Sequence, residues 1–155
     1  MQPDKEIMNR LIEESKKSVQ ESNYSLAACI VKDGSIISLQ HTSIWTLKDP
    51  TAHAEILAIR EACKILDSPI LNGCWLYTTL EPCPMCSSAC IWAKVEGIVF
   101  GSTQEDAIEQ YSKTGKWRQI EIKARDIVKF GTPKIQLIEG FMREECNKLF
   151  SLIKF

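Results

Sequence analysis

The stretch His53-Ala54-Glu55 and the later stretch Pro82-Cys83-Pro84-Met85-Cys86 decide how the rest of this chain is interpreted. One imidazole and two thiols make a set of three borderline or soft ligands, and such a set suits zinc. A zinc ion with three protein ligands keeps a fourth position for water, as in catalytic sites. Glu55 stands two residues after the histidine, where a carboxylate can move protons next to that water. These residues predict zinc ligation by His53, Cys83 and Cys86, with Glu55 as the acid–base group.

Both stretches fall at predicted helix starts. Pro84 favours the first position of a helix, so Cys83 and Cys86 should lie on one face of its first turn. Asp49-Pro50-Thr51 is a helix-start signal just before His53. Backbone N–H groups and the helix dipole stabilise thiolates there, and the thiolate is the form that binds metal. We therefore expect two helix N-termini to point at one metal ion.

Length and composition restrict the class of protein. A chain of 155 residues with 45% hydrophobic and 25% charged residues predicts one globular domain over residues 1–155. A net charge of −1 gives no electrostatic case for bulk nucleic-acid binding. No apolar run has membrane-spanning length and the first residues lack a signal-peptide pattern, so no membrane partner is expected. Seven scattered cysteines favour a reducing, cytoplasmic setting.

Helical and strand patterns alternate along the chain, which predicts an α/β fold with a mixed sheet covered on both faces. Helices are predicted over residues 3–22, 52–66, 85–94, 104–111 and 141–155. Strands are predicted over residues 25–32, 35–40, 74–79, 97–101 and 134–138. Residues 41–48 are predicted to form a loop that holds Trp45, and residues 111–130 give no clear pattern.

The Cys-x-x-Cys spacing alone also fits two other classes of protein. At a helix start after a strand it is equally typical of a thiol–disulfide oxidoreductase, although that function would leave His53 and Glu55 without a role. A structural zinc protein needs a fourth ligand, for which Cys90, one turn after Cys86, is the candidate. Buried cysteines are common in helix cores, however. Catalytic zinc is favoured, and these two classes remain alternatives.

With these residues in place, the chain resembles the cytidine-deaminase-like superfamily, in the branch that holds guanine deaminases, tRNA adenosine deaminases and cytosine deaminases. The pattern H-x-E…P-C-x-x-C is the signature of zinc deaminases, and residues 49–56 and 80–86 look very like that branch. Residues 90–93 and 105–107 look somewhat more like guanine deaminases. The resemblance covers nearly the whole chain. It implies a three-layer α/β/α fold around a five-stranded mixed sheet, a zinc cofactor and a homodimer.

Two departures from the family pattern concern the substrate. Family members often carry Pro-Phe-Gly-Ala or Pro-Ile-Gly-Ala before the first strand, where this chain has Ser25-Leu26-Ala27-Ala28. An asparagine that commonly holds the substrate after the second strand is replaced by His41 or Thr42. The resemblance also implies a role for the backbone N–H of Ala54. The predicted substrate-binding residues are Ala54, His41, Leu26 and Trp45.

The chemistry implied by the resemblance is hydrolytic deamination. Glu55 would take a proton from water and return protons to a ring nitrogen and to the departing amine, and ammonia would leave. A guanine-type purine, as free base or nucleoside, is the favoured substrate. Cytosine-type pyrimidines and the wobble adenosine of tRNA are the alternatives. A tRNA partner is less expected because 19 basic residues, spread along the chain, stand against 20 acidic ones.

Overall fold

The computed structural model describes residues 1–111 and 114–154. Five strands form one sheet in the order β2-β1-β3-β4-β5. The strands are β1 (Ala27–Lys32), β2 (Ser35–His41), β3 (Cys74–Leu80), β4 (Gly97–Ser102) and β5 (Gln136–Ile138). Strand β1 pairs antiparallel with β2 and with β3, whereas β3–β4 and β4–β5 are parallel pairs. The predicted α/β class and the mixed five-stranded sheet are confirmed.

The helices lie between and after the strands. They are α1 (Lys5–Gln20), α2 (Ile44–Leu47), α3 (Ala54–Ile65), α4 (Pro84–Ala93), α5 (Gln104–Tyr111), α6 (Ala124–Val128) and α7 (Arg143–Asn147), followed by a 3-10 turn (Lys148–Leu152). The predicted loop over residues 41–48 contains the short helix α2, and α6 lies in the stretch that gave no pattern. Among the described helices, none combines the length and the apolar character needed to cross a membrane.

Strand side chains alternate between two cores, one on each face of the sheet. In β1, Ala28 and Ile30 belong to the core covered by α3, α4 and α6, whereas Cys29 belongs to the core covered by α1 and α7. Helix α3 lies close to the sheet because its buried positions, four apart, carry small side chains: Ala54, Ala58 and Ala62. Helices on both faces give the three-layer α/β/α arrangement that the resemblance implied.

The C-terminal segment differs from the single helix predicted over residues 141–155. Met142 has a φ of 55°, and α7 is a short helix that gives way to the 3-10 turn. Two carbonyl groups of this turn accept hydrogen bonds from distant side chains. Ser25 Oγ donates to the Leu149 oxygen at 2.5 Å, and Tyr111 Oη donates to the Phe150 oxygen at 2.6 Å. These tertiary bonds compete with a continuous helix. Phe155 lies outside the described residues.

Strand directions bring several loops to one edge of the sheet. Because β1 runs antiparallel to β2 and β3 while β4 runs parallel to β3, the C-terminal ends of β2, β3 and β4 meet the N-terminal end of β1. The segments that lead into α3, α4 and α5 all begin at this edge. Residues that follow three different strands therefore become neighbours there.

Candidate active site

The predicted metal ligands meet at this edge of the sheet. His53 is the N-cap residue of α3 and Cys83 the N-cap residue of α4, with Pro84 at the start of α4 and Cys86 in its first turn. The Nδ1 atom of His53 lies 3.7 Å from Cys83 Sγ and 3.6 Å from Cys86 Sγ. The ligand atoms of all three residues lie within 4.8 Å of one another. Neighbouring ligands around one zinc ion, with bonds of about 2.0–2.3 Å, have separations of this size.

The donor set also fits zinc in its chemistry. A hydrogen bond from Cys86 lowers the pKa of Cys83 to about 4, against the effect of burial and with help from His53. The contact with Cys83 likewise raises the pKa of His53. The hydrogen bond to Cys83, followed by burial, raises the pKa of Cys86. The geometry thus directs two sulfur atoms and one imidazole nitrogen to a common point.

Glu55 reaches the same point from the first turn of α3. It is only 8% exposed, and burial raises the pKa of its carboxyl group. The hydroxyl of Thr78, on β3, lies 3.0 Å from Glu55 Oε1, and the Cys86 thiol donates to Glu55 Oε2 at 3.6 Å. A carboxyl group with a raised pKa beside a metal site can accept and return protons near neutral pH.

A cavity of about 450 Å³ opens beside these residues. His53, Ala54, Glu55 and Cys83 line it, as do residues 117–120 of the segment between α5 and α6. The other lining residues come from the shared edge of the sheet and its neighbouring loops: Tyr24, Leu26, Thr42, Ile44, Pro50, Leu80, Glu81, Met85 and Gln104. Ligand pockets in proteins commonly have volumes of about 300–1,000 Å³.

Two of the four predicted substrate-binding residues line this cavity, namely Leu26 and Ala54. His41 does not, which differs from the prediction. Its imidazole lies between two carboxylates of the α1 region, with Nδ1 2.8 Å from Glu14 and Nε2 2.9 Å from Glu21. Burial opposes a charged ring, but these carboxylates outweigh it and raise the pKa of His41. Consecutive residues of an extended chain point to opposite sides, so Thr42 faces the cavity instead.

Trp45 also lies outside the cavity lining, in contrast to the prediction. It belongs to α2, its side chain is 60% exposed, and its neighbour Ile44 lines the cavity. The backbone N–H of Trp45 donates to the side chain of Asn23 at 2.9 Å, which fixes the short helix but not the indole ring.

Several cavity residues were not predicted from the sequence. Trp117 packs against Tyr24, with ring centroids 5.3 Å apart, and stacks on Tyr111 at 4.9 Å. The presence of a tryptophan in a polar stretch without periodicity is the signal that could have identified this segment. Gln104 and Glu81 gave no such signal, because their roles depend on contacts with residues far away in sequence.

The alternative classes can be compared with the same geometry. Cys90, the candidate fourth ligand of a structural zinc site, is fully buried in the core between α3, α4 and the sheet, outside the group of metal-ligating atoms. Both thiols of the Cys-x-x-Cys motif face His53. Neither alternative requires Glu55 beside the ligand atoms, and the thiol–disulfide alternative does not require His53 either.

Comparison with known proteins agrees with this geometry. The family model for the cytidine and deoxycytidylate deaminase zinc-binding region matches residues 1–102. The tRNA-specific adenosine deaminase of Aquifex aeolicus is 48% identical over 91 residues, which are 59% of this chain and 60% of that protein. The guanine deaminase of Bacillus subtilis is 49% identical over 82 residues, 53% of each chain. The match thus spans little more than half the length of these two relatives.

A longer match extends the similarity to nearly the whole chain. The tRNA-specific adenosine deaminase of Bacillus subtilis is 42% identical over 151 residues, 97% of this chain and 88% of that protein. The solved structure of Bacillus subtilis guanine deaminase has a TM-score of 0.66 at 38% identity, covering 70% of this chain and 69% of that chain. A structure from a study of A-to-I editing by tRNA:A34 deaminases has a TM-score of 0.74 at 25% identity, covering 94% and 99%. The chain belongs to the cytidine and deoxycytidylate deaminase family of zinc-binding enzymes.

Proposed function

We propose that this chain is a hydrolytic deaminase that releases ammonia from an aminated nucleobase or nucleoside. In this proposal His53, Cys83 and Cys86 hold zinc, and Glu55 moves the protons. The observation that carries the proposal is the convergence of these three ligands and one buried carboxyl group at a cavity of about 450 Å³.

The chemistry assigned to each group follows from its position. Bound zinc supplies a Lewis acid that lowers the pKa of a water molecule. Glu55 takes a proton from the water and delivers protons to the ring nitrogen and to the departing amine. The overall reaction exchanges the amine for an oxygen and releases one ammonia for each water consumed. Thr78 holds the carboxyl group of Glu55 in place, because its hydroxyl lies 3.0 Å away.

The favoured substrate is a small purine of the guanine type, as free base or nucleoside. The aromatic rings of Tyr24 and Trp117 at the cavity offer surfaces on which a flat heterocycle can stack. The overall charge of −1 provides no general attraction for a phosphate backbone.

The second candidate substrate is the wobble adenosine of tRNA. It is favoured by one specific observation, the 42% identity to a tRNA-specific adenosine deaminase across 97% of this chain. Arg118, an exposed residue that also lines the cavity, is placed where it could meet a nucleotide phosphate.

One assay separates these possibilities. Ammonia release is measured for zinc-loaded protein with guanine, adenine, cytosine, their nucleosides and a tRNA anticodon stem-loop that carries the wobble adenosine. We expect turnover of a free purine or its nucleoside and little turnover of the stem-loop. Efficient deamination of the stem-loop alone would show that the substrate is RNA. Absence of ammonia from every compound, with zinc fully bound, would refute the deaminase proposal.

We also propose that the chain acts as a homodimer. Trp92 on α4 and Phe130 after α6 are both 82% exposed, and the two helices pack against each other. Large exposed aromatic residues on neighbouring elements are typical of protein interfaces.

A further inference from the structure

Residues 117–122 form neither a helix nor a strand, and residues 117–120 of this segment line the substrate cavity, so the segment is called the cavity wall below. A segment of this kind has no regular ladder of backbone hydrogen bonds, although the Ile122 N–H donates to the Ile120 oxygen at 2.8 Å, so carbonyl groups without a partner in the segment need one from elsewhere. The source of those partners determines how firmly the cavity wall is held.

The side chain of Gln104 supplies two of them. Its Nε2 donates to the Ile120 oxygen at 3.2 Å and to the Ile122 oxygen at 2.7 Å. A carboxamide nitrogen carries two N–H groups, so both are used on the cavity wall. Gln104 is 6% exposed and opens α5 directly after β4, which makes its position rigid relative to the sheet.

Glu81 connects this arrangement to the metal-ligating loop. Its Oε2 accepts from the backbone N–H of Gln104 and its Oε1 accepts from the backbone N–H of Ala124, both at 2.9 Å. One buried carboxylate therefore fixes the start of α5 and the start of α6, between which the cavity wall runs. Glu81 also lies in the short segment that leads from β3 to Cys83. The cavity wall and the ligand residues thus share one anchor.

We infer that Gln104 is a positioning residue for the substrate: its amide holds the cavity wall at the distance from Glu55 that the substrate ring requires. This inference rests on the proposed function, because it assigns the cavity to a substrate. Gln104 acts on the position of the cavity wall and not on proton transfer, because Glu55 is held separately by Thr78 on β3. Loss of its bonds should therefore weaken substrate binding more than turnover.

The first test removes the two donors while keeping a side chain of similar length. In Gln104→Met, KM should rise about tenfold, the effect of two ordinary hydrogen bonds, while kcat stays within about threefold. The matched control is Gln110→Met, an exposed glutamine of the same helix, which should change neither constant. Zinc content should equal that of the unaltered protein in both variants. An unchanged KM in Gln104→Met, with or without a fall in kcat, would overturn the inference.

A second variant and a second measurement guard against a folding defect and against an inactive enzyme. Gln104→Glu keeps the shape but places oxygen atoms against the Ile120 and Ile122 carbonyl groups, so its KM should rise at least as much.

Hydrogen–deuterium exchange of residues 117–122 needs no substrate. It should be faster in both Gln104 variants and unchanged in Gln110→Met. Equal exchange in all proteins would refute the role of Gln104. Faster exchange in the Gln104 variants combined with no ammonia from any compound would refute the proposed function and leave the role of Gln104 in the wall intact.

Discussion

Glu55 illustrates how the surroundings of one side chain set its chemistry. Most glutamates of this chain are at least partly exposed, whereas Glu55 is buried between Thr78 and Cys86. In Glu55→Ala, turnover should fall about 10²–10⁴-fold, the usual contribution of an acid–base group, while zinc and fold are kept. Ammonia release and metal analysis on the same sample measure both quantities. The exposed Glu109→Ala is the control, and near-normal turnover in Glu55→Ala would remove Glu55 from the mechanism.

Cys83 at the N-cap of α4 should differ in the effect of an alanine substitution from one of the two cysteines within the helix: Cys83 and Cys86 serve the metal, whereas Cys90 serves the core. Cys83→Ala and Cys86→Ala should lose zinc, because two remaining ligands hold the ion poorly. Cys90→Ala should keep about one zinc per chain and lose some stability, since its sulfur fills the core and not the metal site. Metal analysis of the purified variants checks this. Full zinc in both Cys83→Ala and Cys86→Ala would refute the site, and loss of zinc in Cys90→Ala would favour the structural zinc alternative.

At the level of elements, the contact between α5 and α7 should make part of the free energy of unfolding depend on pH in the acid range. Arg143 holds Asp106 through two hydrogen bonds of 2.8 and 2.7 Å, which lower the pKa of Asp106 to about 2 even though burial opposes this. A carboxyl group whose pKa is lower in the folded state stabilises the fold above its unfolded pKa of about 3.9. That stabilisation is lost as the pH falls towards 2.

We therefore expect Arg143→Met to remove part of the pH dependence of unfolding between about pH 4 and about pH 2. The difference in the free energy of unfolding should be about 1 kcal/mol, because Arg143 is half exposed and solvent screens the pair. Urea unfolding at several pH values measures it. Lys16→Met, which removes an exposed ion pair with Glu13, should leave the pH dependence intact. The same slope in Arg143→Met and the unaltered protein would contradict the expectation.

The sequence predicts those elements whose signals are local. The five strands and the helices α1, α3, α4 and α5 have local periodicity or start signals, and their positions are confirmed within a few residues. Helix α6 has only five residues, and its first N–H is accepted by Glu81, which is distant in sequence. The break after α7 depends on bonds from Ser25 and Tyr111. Neither long-range contact leaves a periodic pattern.

The candidate site shows the same division between local and distant information. His53, Glu55, Cys83 and Cys86 stand in two short motifs, and their meeting point could be predicted because both motifs occupy helix starts. The cavity could not be predicted, since segments after three strands and the irregular residues 117–120 build it together. The difference between His41 and Thr42 depends on a single step at the end of β2, where neighbouring side chains of the extended chain point to opposite sides.

For the whole molecule, the proposed homodimer can be tested at its exposed aromatic residues. Ile91, the neighbour of Trp92, lies against Gly131, the neighbour of Phe130, so both exposed aromatic residues flank the contact between α4 and the end of α6. In Trp92→Glu a buried charge would oppose association, and light scattering should then report a monomer. Trp45→Glu, an exposed tryptophan in α2, should leave the mass unchanged. A monomeric unaltered protein, or a dimeric Trp92→Glu, would contradict this interface.

His53 and Cys83 occupy the N-cap positions of α3 and α4, yet neither side chain makes a cap hydrogen bond. A residue at this position commonly holds the first turn by accepting from its free N–H groups, which is worth about 1 kcal/mol. Here both side chains turn towards each other, so an ion that binds them joins the ends of two helices. The folded population then obeys mass action: each tenfold increase in free zinc above the dissociation constant adds about 1.4 kcal/mol of stability. The amount of folded protein in a cell would consequently follow the local supply of zinc. Scarcity of the metal would leave more of the protein unfolded and open to degradation, and it would also remove the ion that the proposed reaction needs.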